Sequence, residues 1–158
     1  MKVLHAIPIV LAATVTLTSA ASAGSGAAKQ RVMITSQAAK TTHAAPFVLT
    51  PLQAGPLKRD SGKEIAGLAP GHSEVRDGQR VEIYDDVATW KGKRGSIVVH
   101  YHAEYVDAGN GYHASKGTWK VVRGTGRYAG ITGGGRSGNV YLDRGPWSSR
   151  AEGFLTLR

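Results

Sequence analysis

The chain contains no cysteine, so it can use neither a disulfide framework nor thiol chemistry, and packing alone must hold its fold. Methionine and phenylalanine are scarce, with two of each, which leaves the apolar interior to aliphatic residues, tyrosine and tryptophan. No window carries a sustained 3.6-residue apolar stripe, and this excludes a helical domain. Beyond the first 23 residues no apolar run approaches the roughly 20 residues of a membrane-crossing helix, so the remainder is expected not to span a membrane. Acids are few, 11 against 20 lysines and arginines.

Catalytic motifs are also missing. Gly135-Arg136-Ser137-Gly138-Asn139 and Gly71-His72-Ser73-Glu74-Val75 both fall short of the Gly-x-Ser-x-Gly nucleophile elbow. Gly124-Thr125-Gly126-Arg127-Tyr128-Ala129 spells Gly-x-Gly-x-x-Ala, but a dinucleotide site needs a helix to begin there. Gly130 and the run Thr132-Gly133-Gly134-Gly135 forbid one, so the segment reads as a tight corner. No cofactor is implied. Asp85-Asp86 is not a paired catalytic carboxylate, because neighbours on an extended chain point to opposite faces; a turn or bulge is expected there.

The N-terminus combines Lys2 with an apolar stretch from Val3 to Leu17 and ends in Ala21-Ser22-Ala23, the pattern of a secretory signal peptide over residues 1–23. The expected product is a secreted chain of 135 residues, enough for one domain. Loss of Lys2 leaves 19 cations against 11 acids, a formal charge of +8. In an exported protein such a charge suits an anionic cell-envelope polymer; nucleic acid is not expected. Lys58, Arg59, Lys91, Lys93 and Arg94 lie in turn-like segments and read mainly as solvated turns.

Residues 24–45 read as a loosely held leader with one short strand at Val32 to Ile34. From residue 46 to 158, short apolar or alternating runs are separated by Asp60-Ser61-Gly62, Asp77-Gly78, Gly92-Lys93-Arg94-Gly95, Asn110-Gly111, Gly124-Thr125-Gly126 and Asp143-Arg144-Gly145-Pro146. The strands predicted between them are Phe47–Leu52, Glu64–Leu68, Gln79–Tyr84 with Val87–Trp90, Ser96–Val106, Tyr112–Val122, Tyr128–Thr132, Asn139–Leu142 and Arg150–Leu157. Sequential strands near eight in number, with 21 glycines for bulges and corners, predict a small antiparallel eight-stranded up-and-down β-barrel. A two-sheet β-sandwich is the alternative.

The clearest strand is Ser96–Val106. Ile97, Val99, Tyr101, Ala103 and Tyr105 share one face, and Val98, His100, His102, Glu104 and Val106 share the other. The first face should point inward, which makes Tyr101, Tyr105 and Trp119 candidates for lining a ligand lumen. For Trp90, Trp147, Tyr84, Tyr128 and Phe154 core packing is the default reading. On the second face, His100, His102 and Glu104 stand about 6.5–7 Å apart in succession, a spacing that could serve a metal. His113, across the Asn110-Gly111 turn, is a candidate third ligand, and the bland alternative is an outward polar face.

The segment Gly117-Thr118-Trp119-Lys120-Val121-Val122-Arg123-Gly124-Thr125-Gly126-Arg127-Tyr128-Ala129-Gly130-Ile131-Thr132-Gly133-Gly134-Gly135 resembles the strand, Gly-Thr-Gly turn, aromatic and glycine-rich strand of dirigent and allene oxide cyclase barrel-like proteins. Phe47-Val48-Leu49-Thr50, Gly55-Pro56-Leu57 and Asp60-Ser61-Gly62 look like their opening strands, so the likeness spans roughly residues 45–157. It implies an eight-stranded barrel with an apolar lumen, similar to small secreted bacterial members of that group. In the plant members the lumen holds an oxylipin or a phenoxy radical pair. Their catalytic residues have no counterpart here that aligns. The expected function is binding of a small apolar ligand or an anionic envelope component, with cyclase or isomerase chemistry inside the lumen, or metal binding at His100, His102 and Glu104, as alternatives.

Overall fold

The computed structural model describes residues 27–40, 43–67, 69–143 and 145–158, so the segment expected as a signal peptide lies outside it. Nine strands form one antiparallel sheet: β1 (Ala28–Ala38), β2 (Ala44–Pro51), β3 (Asp60–Ile65), β4 (His72–Arg76), β5 (Gln79–Gly92), β6 (Gly95–Gly109), β7 (Tyr112–Gly124), β8 (Thr132–Leu142) and β9 (Trp147–Leu157). The sheet closes, because β1 pairs with β9 as well as β2, and β3 pairs with both β2 and β5. β4 lies on the same edge of β5 as β3, facing Gln79–Ile83 while β3 faces Thr89–Gly92. β3 and β4 therefore act as one interrupted strand. The architecture is the expected eight-stranded barrel and not a sandwich; closure through β3 and β5 leaves the outer edge of the short β4 as the unpaired edge among the described strands.

Hairpin chemistry sets the register at one end. Asp77-Gly78 and Asn110-Gly111 both have positive φ (52° and 77°, 55° and 76°), the type I′ geometry whose twist matches that of the flanking strands. Tyr112–Lys120 then pairs along β8, and β8 pairs along β9 without a slip.

Five segments differ from expectation, each for a physical reason. Asp60-Ser61-Gly62 is not a turn but opens β3, where Gly62 admits the close approach of the Lys91 backbone. The loose leader is instead β1, a full barrel strand in which Gln30, Val32, Ile34 and Ser36 are buried. Its polar ends disguised the alternation. Gln30 is satisfied inside: its Nε2 donates to the Gln53 and Leu57 carbonyls (2.8 and 3.3 Å), and its Oε1 accepts the Leu57 N–H (2.8 Å). Asp85-Asp86 is not a turn, since β5 pairs with β6 without interruption from Val81 to Gly92. Tyr128 belongs not to a strand but to a 3₁₀ turn, Gly126–Tyr128, and β8 begins at Thr132 and includes the glycine run. β4 was not anticipated, because all five of its residues are exposed and carry no apolar alternation.

The interior has two layers. Near the Gly92/Gly95 end a dry core packs Val32, Ile34, Phe47, Leu49, Trp90, Val99, Trp119 and Leu155. Each such side chain contributes about 1.5–3 kcal/mol through burial. The large rings fit because small residues face them: Trp119 lies level with Gly135, which lies level with Gly153, and a Cβ on Gly153 would stand 2.8 Å from the Trp119 ring. The 3₁₀ turn closes this end, where the Tyr128 hydroxyl donates to Asp60 (2.8 Å) inside the core. The opposite layer is polar and aromatic.

Candidate functional site

Alternation along β5, β6, β7 and β8 aims Tyr84, Tyr101, Tyr105, Ser115, Asn139 and Tyr141 into the barrel on the side away from the Tyr128 turn. Their rings are in contact, Tyr84–Tyr105 and Tyr101–Trp90 edge to face and Tyr105–Tyr141 tilted. Tyr84 meets Tyr105 at 5.2 Å between centroids, Tyr105 meets Tyr141 at 5.8 Å, and Tyr101 meets Trp90 at 6.2 Å. The Asn139 amide donates to the Tyr105 hydroxyl (3.2 Å) and to Ser115 Oγ (2.9 Å). Burial raises the pKa of Tyr101 well above the ordinary phenol value, helped by Glu64 and Tyr105, and raises that of Tyr141 to about 12, helped by Tyr105 and Tyr84. These phenols therefore stay protonated donors throughout the physiological range.

Glu64 is, with Asp60, one of two acids buried in the barrel, and neither has an ion-pair partner among the described residues. Ser36 donates its hydroxyl to the Glu64 carboxylate, and the Trp90 indole N–H faces it without completing a hydrogen bond. Desolvation outweighs both and pushes the Glu64 carboxyl above its ordinary range. A buried carboxyl with a raised pKa beside phenols is a group suited to proton transfer.

Where the strands open, the loops after β1, β6 and β8 border an apolar cleft of about 570 Å³, within the range of small-molecule sites. Tyr112, Val140, Tyr141, Leu142, Pro146 and Trp147 line it. Tyr141 and Trp147 are a cross-strand pair, as are Tyr112 and Leu142, so strand pairing fixes the walls. Trp147 Nε1 is buried and has no hydrogen-bond partner, an unusual state for a buried donor. Sequence reading passed over Tyr112, Tyr141 and Leu142. Their positions flanking the Asn110-Gly111 and Asp143–Pro146 turns were the available signal.

The candidate residues separate. Tyr101, Tyr105 and Trp119 all face inward as expected, but Trp119 is sealed in the dry core, its N–H given to the Arg136 carbonyl (3.2 Å). None of the three borders the open cleft. His100 and His102 face outward, both toward Asp85, whose Oδ1 lies 2.9 Å from His102 Nδ1 and 3.9 Å from His100 Nε2. Glu104 is engaged by Arg76 (2.8 Å) and Lys116 (3.3 Å), which hold its carboxyl below the ordinary range. His113 does not join them. A bulge at Asp107/Gly109 puts it on the inner face, stacked on Tyr141 at 4.6 Å and bonded to Asp143 at 2.9 Å. Among the described residues, no three His, Asp or Glu side chains converge as metal ligands would.

Comparison with protein-family models, curated proteins and solved structures finds no match. What the site can do therefore rests on its own geometry.

Proposed function

We propose that this chain is an exported binding barrel that takes a small apolar molecule carrying a hydrogen-bond acceptor into the cleft at its open end. The supporting observation is a mostly apolar cleft whose wall gathers Tyr112, Val140, Leu142 and Trp147, the last carrying a buried, unpartnered indole N–H. A carbonyl or ether oxygen would satisfy that donor once the indole turns its N–H toward the cleft, while an apolar body covers Tyr112, Val140 and Leu142. The Lys2 to Ala23 pattern supports export. 2-Acetylnaphthalene, a flat apolar body with one carbonyl, should quench tryptophan fluorescence on titration into the full chain. Trp147→Phe removes the donor but keeps an aromatic wall, and should weaken binding about fivefold, the equivalent of one net hydrogen bond of about 1 kcal/mol. No response up to the solubility limit, or equal affinity in Trp147→Phe, would refute the reading.

Glu64 favours a second reading, an isomerase or cyclase that uses the buried acid of the barrel interior beside Ser36 and Trp90. It requires turnover that Glu64→Gln abolishes while affinity for the apolar probe persists.

A further inference from the structure

The outer surface of the barrel carries a second feature, unconnected with the cleft. On β8 the outward positions Gly134 and Gly138 have no side chain, while Arg136 between them projects. The result is a trough of about 630 Å³ along β8, walled by Arg31 of β1 and by Arg150, Glu152 and Phe154 of β9. Cross-strand register extends it. Arg31 is level with Phe154, Phe154 with Gly134, and Gly134 with Lys120 of β7; two outward rows along, Arg150 is level with Gly138 and Gly138 with Lys116. Four strands at about 4.8 Å spacing make this basic band about 14 Å across.

Its charges are poorly balanced. Glu152 is the one acid of the trough, shared by Arg31 (3.1 Å) and Arg150, and Lys116 is taken by Glu104 (3.3 Å). Arg136, directly across from Glu152, and Lys120 have no ion pair among the described residues. Phe154 is 41% exposed, with Lys29 Nζ 4.4 Å from its centroid. The trough thus joins planar guanidinium forks, which match carboxylates two bonds at a time, to an aromatic edge and a flat glycine floor open to backbone contact.

We infer that this trough is a docking surface for a carboxylate-bearing polysaccharide: the arginines take the acid groups, and Phe154 with the glycine floor takes the apolar faces of the sugar rings. A phosphate polymer or a single nucleic-acid strand would use the arginines, but would leave the ring-sized floor unused or would call for several stacking aromatics where one stands.

The test uses the full chain with polygalacturonate, and with dextran, polyphosphate and single-stranded DNA for comparison. Binding to polygalacturonate that falls with salt, with none to dextran, is expected. Arg136→Gln should weaken it about three- to tenfold, and Phe154→Ala by a similar factor. Lys63→Gln removes the same charge from β3, across the barrel, and should leave binding unchanged. Equal loss in Lys63→Gln would reduce the attraction to net charge and overturn the site. Tighter binding of polyphosphate or DNA, or an unaffected Phe154→Ala, would overturn the polymer class.

Discussion

Replacing Tyr128 with Phe removes one oxygen from the closed end of the barrel and leaves an ionised acid beside it. Asp60 is 5% exposed and accepts the Tyr128 hydroxyl (2.8 Å) together with the backbone N–H groups of Ser61, Lys93 and Arg94 (2.8, 3.1 and 3.2 Å). Burial alone would raise its pKa, but these four donors outweigh burial and leave the carboxyl below its ordinary value. A hydrogen bond to a charged group is worth about 1.5–3 kcal/mol, so Tyr128→Phe should cost about 2 kcal/mol at pH 7. For a domain of this size that is a fall of about 6–10 °C in Tm. The pH dependence carries a sign. A depressed folded pKa gives stability that is present above the unfolded value of about 3.9 and is lost as the pH falls through the folded value. The substitution moves the folded value back up, so the gap between the two proteins should narrow below about pH 4 toward the roughly 1 kcal/mol of a neutral hydrogen bond. Urea denaturation of both proteins at pH 7 and pH 3 measures it. A gap below about 0.5 kcal/mol at pH 7, or one that does not change with pH, would refute the assigned role of Asp60.

Glu64 predicts the opposite slope. Its folded pKa is raised by burial, so the ionised form costs stability above that value and nothing below the unfolded value of about 4.3. Glu64→Gln should flatten the stability curve between pH 4 and pH 8 and gain most on the wild type at the alkaline end; an unchanged slope in denaturant titrations would contradict this. Gly124→Ala should cost about 3 kcal/mol, since its Cβ would stand 1.9 Å from the Tyr128 carbonyl oxygen and 2.6 Å from Ile131 Cγ2. Gly78→Ala meets nothing within 4 Å but has φ +77°, so strain alone should cost about 1–2 kcal/mol. Thermal melts that rank the two equally would refute the steric account.

Legibility in the sequence followed how far each strand kept a clean contrast between its faces. β6 was readable because Ile97, Val99, Tyr101, Ala103 and Tyr105 alternate with a second face that carries His100, His102 and Glu104, and the flanking Asn110-Gly111 turn has one common solution. β1 hid its inner face behind Gln30 and Ser36, whose polarity makes sense only once the 53–57 loop and Glu64 are in place to bond them. Asp85-Asp86 read as a turn or bulge because adjacent carboxylates on an extended chain point to opposite faces and cannot act as a pair. Asp85, however, answers two histidines outside, and Asp86 stands level with Tyr101 inside. The site was less legible than the fold. Parity groups His100 with His102 correctly, but His113 depends on a bulge that no residue type announces, and the cleft exists only because closure brings residues 37–39 against residues 140–148.

The glycines of β8 serve the packing of the core on one face and shape the basic trough on the other. A barrel this narrow can hold Trp119 and Trp90 in its core only if the facing strands give up their side chains, and Gly135 with Gly153 does so on the inner face. The outward members of the same stretch, Gly134 and Gly138, contribute nothing to that packing, and a strand without side chains on either face packs poorly and is conformationally costly. Inner glycines are thus explained by the core, and Gly134 by the approach of β7, where a Cβ would stand 2.6 Å from the Trp119 carbonyl oxygen; Gly138 is explained by neither. Gly138 makes the contrast concrete: a Cβ there would have only the Ser115 carbonyl oxygen near it, at 3.4 Å, so the position could carry an alanine without collision. Leaving it bare costs strand stability with no return in packing, and that combination is expected where a strand is shaped by what rests on its outer face.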